Sequence, residues 1–182
     1  MFSNDKGDDV ARLITVRRPE QITQQAQEYV KSYIMLPSGV VGLICLIGGV
    51  GGLGYQLIAS GDYTWNTFYQ SSALIAGGAL LGLAQTRYHQ FVFRRFPDVL
   101  AARMRMASAR RGAKIKKEPK PMTIDHPGRQ FVPFAYLIGA SFLIGSALAA
   151  VIYGQVHAVP ALLMPWAGFY WARLFFWRSV VK

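Results

Sequence analysis

Acidic residues are scarce in this chain of 182 residues: nine Asp and Glu stand against 20 Lys and Arg, a formal net charge of +11. None of them falls inside the long apolar runs, which argues against a proton- or cation-coupled carrier, since such carriers hold the coupling ion on a buried ionisable group. A paired-carboxylate or serine–histidine enzyme needs its partners at one depth on one side, and no such grouping occurs. Cysteine is scarcer still. Cys45 stands alone in an apolar run, so an internal disulfide and a cysteine-rich metal site are both excluded. His89, His126 and His157 are accompanied by no H-E-x-x-H pattern or carboxylate cluster. A secretory signal pattern is also missing. Met1 to Ser32 mixes Asp5, Asp8 and Asp9 with Lys6, Arg12, Arg17 and Arg18 in place of a short basic start and an apolar core, so the segment is expected to be retained.

What is present is apolar character gathered into a few long stretches, with hydrophobic residues making up 52% of a strongly basic chain. Pro37–Ala59, Asn66–Thr86 and Val132–Tyr153 carry no charge, and Ala158–Trp177 carries only Arg173. Each is long enough, at 1.5 Å per residue, to cross ~30 Å of hydrocarbon. Ser60-Gly61-Asp62 reads as a turn, and Gly154-Gln155-Val156-His157 as a very short one that folds the fourth run back on the third. The basic residues flank these runs rather than decorating a soluble core, so nucleic acid is not the expected partner.

The charge asymmetry sets a topology. The connection after the first run carries only Asp62, and the one after the third carries no Lys or Arg; the tail, the segment Arg87–Arg129 and Arg178 and Lys182 hold the basic residues. The positive-inside rule then places both termini and the central segment in the cytoplasm, which requires an even number of crossings. The expected fold is an all-α integral membrane protein of four transmembrane helices in two antiparallel hairpins, most consistent with a bacterial inner membrane. Its parts are an N-terminal segment (1–36), a first hairpin (37–86), a basic cytoplasmic connector (87–131), a second hairpin (132–177) and a short tail (178–182).

Within the N-terminal segment, Pro19 suits a first helical turn, and Ile22, Ala26, Tyr29 and Tyr33 recur on one face. Pro19–Met35 is therefore read as an interfacial amphipathic helix or, equally, as a solvated extension of the first membrane helix, with Pro37 restarting or kinking the chain. In the connector, Tyr88, Phe91, Val92 and Phe96 extend the second crossing along the surface. Pro97-Asp98 opens a further helix that Gly112 ends, and Lys114–Gly128 reads as extended.

Gly49-Val50-Gly51-Gly52-Leu53-Gly54 contains a literal G-x-G-x-x-G, but inside an uncharged run and without the acidic residue a dinucleotide site needs further on. Helix contact is the better reading. Gly48 and Gly52, and Gly78 and Gly82, are small residues four apart, and Ser141, Gly145 and Ala149 repeat the pattern in the third run; such residues let backbones approach closely in lipid. Trp65, Trp171, Arg173 and Trp177 read as interfacial anchors, the arginine snorkelling toward headgroups. Arg94, Arg95, Arg103, Arg105, Arg110, Arg111, Lys114, Lys116 and Lys117 set topology and offer a docking surface for anionic lipid or an acidic partner.

These residues lead to a non-catalytic accessory, scaffold or assembly subunit of a larger membrane complex. Its expected partners are the bilayer, anionic lipid, and other membrane subunits or further copies of the chain; no cofactor and no soluble substrate are indicated. A small oligomeric transporter or channel would instead need Gln56, Gln70, Ser71, Ser72 and Gln85 to converge. A membrane enzyme acting on lipid or quinone would need a site built from arginine, His89 and Asp98.

Overall fold

The computed structural model describes residues 19–112 and 129–180. Among them the regular elements are helices and no strand occurs. The α-helices are α1 (Pro19–Tyr29), α2 (Leu36–Tyr55), α3 (Trp65–Arg95), α4 (Pro97–Gly112), α5 (Val132–Ile152) and α6 (Ala158–Arg178). A π-helical turn, Val30–Met35, joins α1 to α2, and a second one, Gln56–Ser60, follows α2. Two helices are long and apolar enough to cross a membrane: the continuous stretch Gln21–Ser60, and α5. Residues 113–128, and with them Lys114, Lys116, Lys117 and His126, lie outside the described part of the chain.

The helix runs on through Pro37 without a break, the π turn giving way to α-helix at Leu36 with Pro37 in its first turn. A proline leaves the carbonyl four residues back without a donor and crowds it. Here that carbonyl belongs to Tyr33, inside the wider π turn, where bonds reach to the fifth residue instead. At the far end, Gly61 takes the left-handed conformation (φ 68°) that closes the helix, as the Ser60-Gly61-Asp62 signal requires. Thr64 then caps α3: its hydroxyl accepts from the Thr67 backbone N–H at 3.4 Å, and the Thr67 hydroxyl accepts from the Thr64 N–H at 3.3 Å.

α6 is the hub. It packs along both α2 and α3, and more lightly on α5. α5 is peripheral, with Leu143 and Ala147 as its buried residues. The turn after α5 (residues 153–157) brings α6 back, and the end of the bundle where that turn lies is called the turn end below.

The opposite, basic end carries a second layer. α3 has 31 residues, about 46 Å of helix, of which Asn66–Thr86 accounts for about 31 Å, so its last turns project beyond the uncharged run. The helix stops at Phe96 because a residue before proline disfavours helical geometry, and Pro97-Asp98 opens α4. α1 lies against α4. Ala26, Val30 and Ile34 are buried on one side, and Val99, Leu100 and Ala101 on the other. The face expected to rest on lipid is thus covered by protein, with Tyr29 and Tyr33 stacked at its margin, ring centroids 5.2 Å apart. Val30 and Ile34 also enclose Trp177, which is 0% exposed, together with Phe93 and Val180.

Candidate functional site

Small residues govern how the helices meet. A Cβ on Gly78 would fall on the Pro165 carbonyl oxygen, and one on Gly82 on that of Phe169. From the other side, a Cβ on Gly168 would fall on the Ile75 carbonyl oxygen. α3 and α6 therefore touch backbone to backbone, close enough for weak Cα–H···O attraction. α2 meets α6 less tightly: a Cβ on Gly48 would lie 2.6 Å from the end of the Leu163 side chain, and one on Gly52 2.9 Å from the Pro160 ring. Gly168 escaped the sequence reading, although Pro165, Gly168 and Ala172 share the spacing of a small-residue face.

Ser141 and Gly145 do not join this packing. Both are exposed, and nothing lies within 4 Å of a Cβ built on Gly145. Each stands two positions from Leu143, about 160° around the helix from the face α5 buries. The small-residue stripe of α5 therefore faces away from its own bundle.

At the turn end, three glutamines clasp the α5–α6 connection. Gln56, fully buried, donates from Nε2 to the Gln155 carbonyl, and its Oε1 accepts from the His157 N–H at 3.3 Å. Gln70 Oε1 accepts from the Gln155 N–H at 3.1 Å, while the Gln155 side-chain oxygen takes the Thr64 hydroxyl. The buried Thr67 hydroxyl donates to the Gln155 carbonyl at 3.4 Å. Of the polar residues that a transport path would have to gather, Gln56 and Gln70 are thus engaged on the turn, while Gln85 Oε1 is buried without a hydrogen-bond partner. Ser71 donates to the Phe68 carbonyl of its own helix, Ser72 is exposed, and Gln85 lies toward the opposite end. An open groove runs past this clasp, lined by Gly48, Gly52, Tyr55, His157 and Pro160.

At the basic end, His89 ties α3 to α5. Its Nδ1 lies 3.0 Å from the Gln85 carbonyl, which can only accept, so Nδ1 carries the proton. Nε2 is then the acceptor for the Tyr136 hydroxyl at 3.2 Å. His89 lies beyond the uncharged run. Burial and then the positive charges of Arg173 and Arg103 hold its imidazole below the usual range, against the upward pull of its bond to Gln85. With both ring nitrogens occupied, His89 presents no free base. Gln90 donates to the Phe176 carbonyl at 3.0 Å, satisfying one of the carbonyls left open in the last turn of α6.

No family model, curated protein or solved structure matches the chain. What it does must be read from these side chains. Among the described residues no three His, Cys, Asp or Glu gather as a metal site requires. His89 and His157 sit at opposite ends of the bundle, and Asp98 is an exposed first-turn residue of α4. The G-x-G-x-x-G stretch is helical throughout and follows helix, not a strand, which removes the nucleotide reading.

Of the residues read as anchors, Trp65 is 76% exposed beside Phe68 and Tyr69, and Trp171 is partly exposed. Trp177 is corrected: it is fully buried, enclosed by the π turn after α1 and by Phe93 of α3. Arg94, Arg95 and Arg103 are exposed, and Arg105, Arg110 and Arg111 continue α4. The first half of the connector is held to the chain through the apolar face of α4, so charge screening is not what governs that contact.

Proposed function

We propose that this chain is a four-span, non-catalytic accessory or assembly subunit of a complex in a bacterial inner membrane, with both termini and the basic connector in the cytoplasm. α2, α3, α5 and α6 are its crossings in this reading. α1 and α4 form a cytoplasmic layer over their ends, and the two turns face the other side. The charge asymmetry supports that orientation: Asp62 is the sole charged residue in the two turns, while basic residues crowd the opposite end.

The observation that carries the subunit role is the outward small-residue face of α5. A Cβ on Gly145 would meet nothing within 4 Å among the described residues, Ser141 and Ala149 are exposed, and α5 holds to the bundle by a narrow strip. In lipid, an isolated helix gains nothing from glycine on its outer face, whereas a partner helix gains close backbone contact. That partner is a helix of another subunit or of a second copy. Transport is the weaker reading, because Gln56 and Gln70 are spent on the turn. Catalysis is weaker still, because His89 is doubly bonded and Asp98 stands apart from any cleft.

Gly145→Leu separates the roles. It is expected to leave the melting temperature of the purified chain within about 2 °C of the parent, since the position is exposed and a Cβ there meets nothing within 4 Å among the described residues. It is also expected to abolish co-purification of a partner chain, or dimerisation, in gentle detergent. Intact assembly by this variant would show that α5 faces lipid and would remove the main support for the subunit reading.

A further inference from the structure

We propose that Arg173 binds a phosphate oxyanion at the basic end of α6, beside the His89–Tyr136 pair, with a phospholipid headgroup as the source its position favours. Arginine carries a permanent charge and five donors in a planar fork that matches phosphate geometry. Here Nε is buried and has no hydrogen-bond partner, while the guanidinium lies 5.7 Å from the centre of the Phe169 ring, whose face fixes its orientation.

The surrounding helices offer no counter-charge. Between Asp62 and Asp98, and again from Arg129 to Lys182, the chain has no acidic residue, so α3, α5 and α6 are without a carboxylate. Tyr136 and Tyr170 are the titratable neighbours of Arg173, and Arg103 adds a second positive charge nearby, close enough to act on His89. The Tyr136 hydroxyl is committed to His89 at 3.2 Å, which pins α5 to α3 and leaves the guanidinium as the donor set for an incoming anion. A half-buried guanidinium whose Nε is buried without a partner, about one and a half turns from the end of α6, stands where headgroup phosphates would lie in the orientation proposed above. The exposed Arg94 and Arg95 have no such fixed setting.

Arg173 reaches headgroups only if α6 spans the membrane as proposed above. Thiol labelling at positions 157 and 182, which flank α6, tests that spanning and lipid retention tests Arg173, so either can fail alone. The full-length chain, purified in gentle detergent, would be examined by native mass spectrometry and titrated with phosphatidylglycerol, phosphatidylcholine and inorganic phosphate. One phosphatidylglycerol is expected to be retained in preference to phosphatidylcholine, and millimolar phosphate is expected not to displace it.

Arg173→Gln is expected to weaken phosphatidylglycerol binding about tenfold or more, the loss of a charge-assisted pair of bonds. Arg173→Lys, which keeps the charge but not the fork, is expected to weaken it severalfold and covers the case in which the neutral variant does not fold. The double variant Arg94→Gln, Arg95→Gln is expected to bind within about twofold of the parent, as exposed pairs contribute little. Displacement by phosphate alone would make the free anion the source and overturn the lipid assignment. Parental retention by both Arg173 variants, or equal retention of phosphatidylcholine, would overturn the site.

Discussion

Gly78→Ala is expected to cost about 2 kcal/mol or more, lowering the melting temperature of the detergent-solubilised chain by about 5 °C or more. One added methyl suffices because it would fall on the Pro165 carbonyl oxygen, an atom that moves only with the helix backbone. Gly78→Leu is expected not to yield a folded chain. Gly52→Ala should be far milder, since its Cβ would meet the Pro160 ring at 2.9 Å, where small shifts of α2 relieve the contact. The order Gly78, then Gly52, in a thermal-melt series is the test. Equal sensitivity would mean that α3 and α6 do not approach as closely as the contact of Gly78 with the Pro165 carbonyl requires.

Gln56→Leu is the second large effect. The side chain is fully buried and serves two backbone groups of the α5–α6 turn, donating to the Gln155 carbonyl and accepting from the His157 N–H. Leucine keeps the volume and removes both bonds. The His157 N–H then loses the partner it has here, and the Gln155 carbonyl keeps only the longer bond from Thr67. Each unmet group costs about 1–3 kcal/mol where water is excluded, so the loss should reach about 2–4 kcal/mol. Glutamate is no rescue, because it keeps the acceptor for His157, loses the donor to Gln155 and buries a charge. Loss of the clasp should also open residues 153–157 to protease. A melting temperature and cleavage pattern unchanged by Gln56→Leu would show that the turn is held by other contacts.

The sequence marked the helices well because the signals there are local. Uncharged runs, Ser60-Gly61-Asp62, Pro97-Asp98 and Gly154-Gln155 each lie close to the boundary they specify. It did not show which helix stands in the middle, because α6 owes that place to contacts with residues far back in the chain, such as Gly78 with Pro165 and Gly52 with Pro160. Periodicity put Ile22, Ala26, Tyr29 and Tyr33 on one face; the fold buries Ala26 as expected but continues with Val30 and Ile34 of the π turn and leaves the two tyrosines half-buried. Small-residue spacing found Gly78 and Gly82 but could not tell a face turned inward from one turned outward, so Ser141 and Gly145 looked the same. The glutamine clasp was partly legible. Gln56, Gln70 and Gln155 all lie near the two short turns, at one depth, and their shared level was the available clue. Trp177 was misjudged because tryptophan near a helix end is usual both at interfaces and under a covering helix, and only α1 decides between them.

The orientation of the chain in a membrane is the claim on which the rest depends, and site-specific thiol labelling in intact cells tests it most directly. Cys45 is buried and can be replaced by alanine to clear the background. Tyr63→Cys then places the only thiol in the first turn, and Lys116→Cys places it in the basic connector. An impermeant maleimide is expected to modify position 63 in intact cells and position 116 only after the membrane is opened. Labelling at 116 with protection at 63 would invert the topology, and equal labelling of both in intact cells would contradict a chain that crosses the membrane between them.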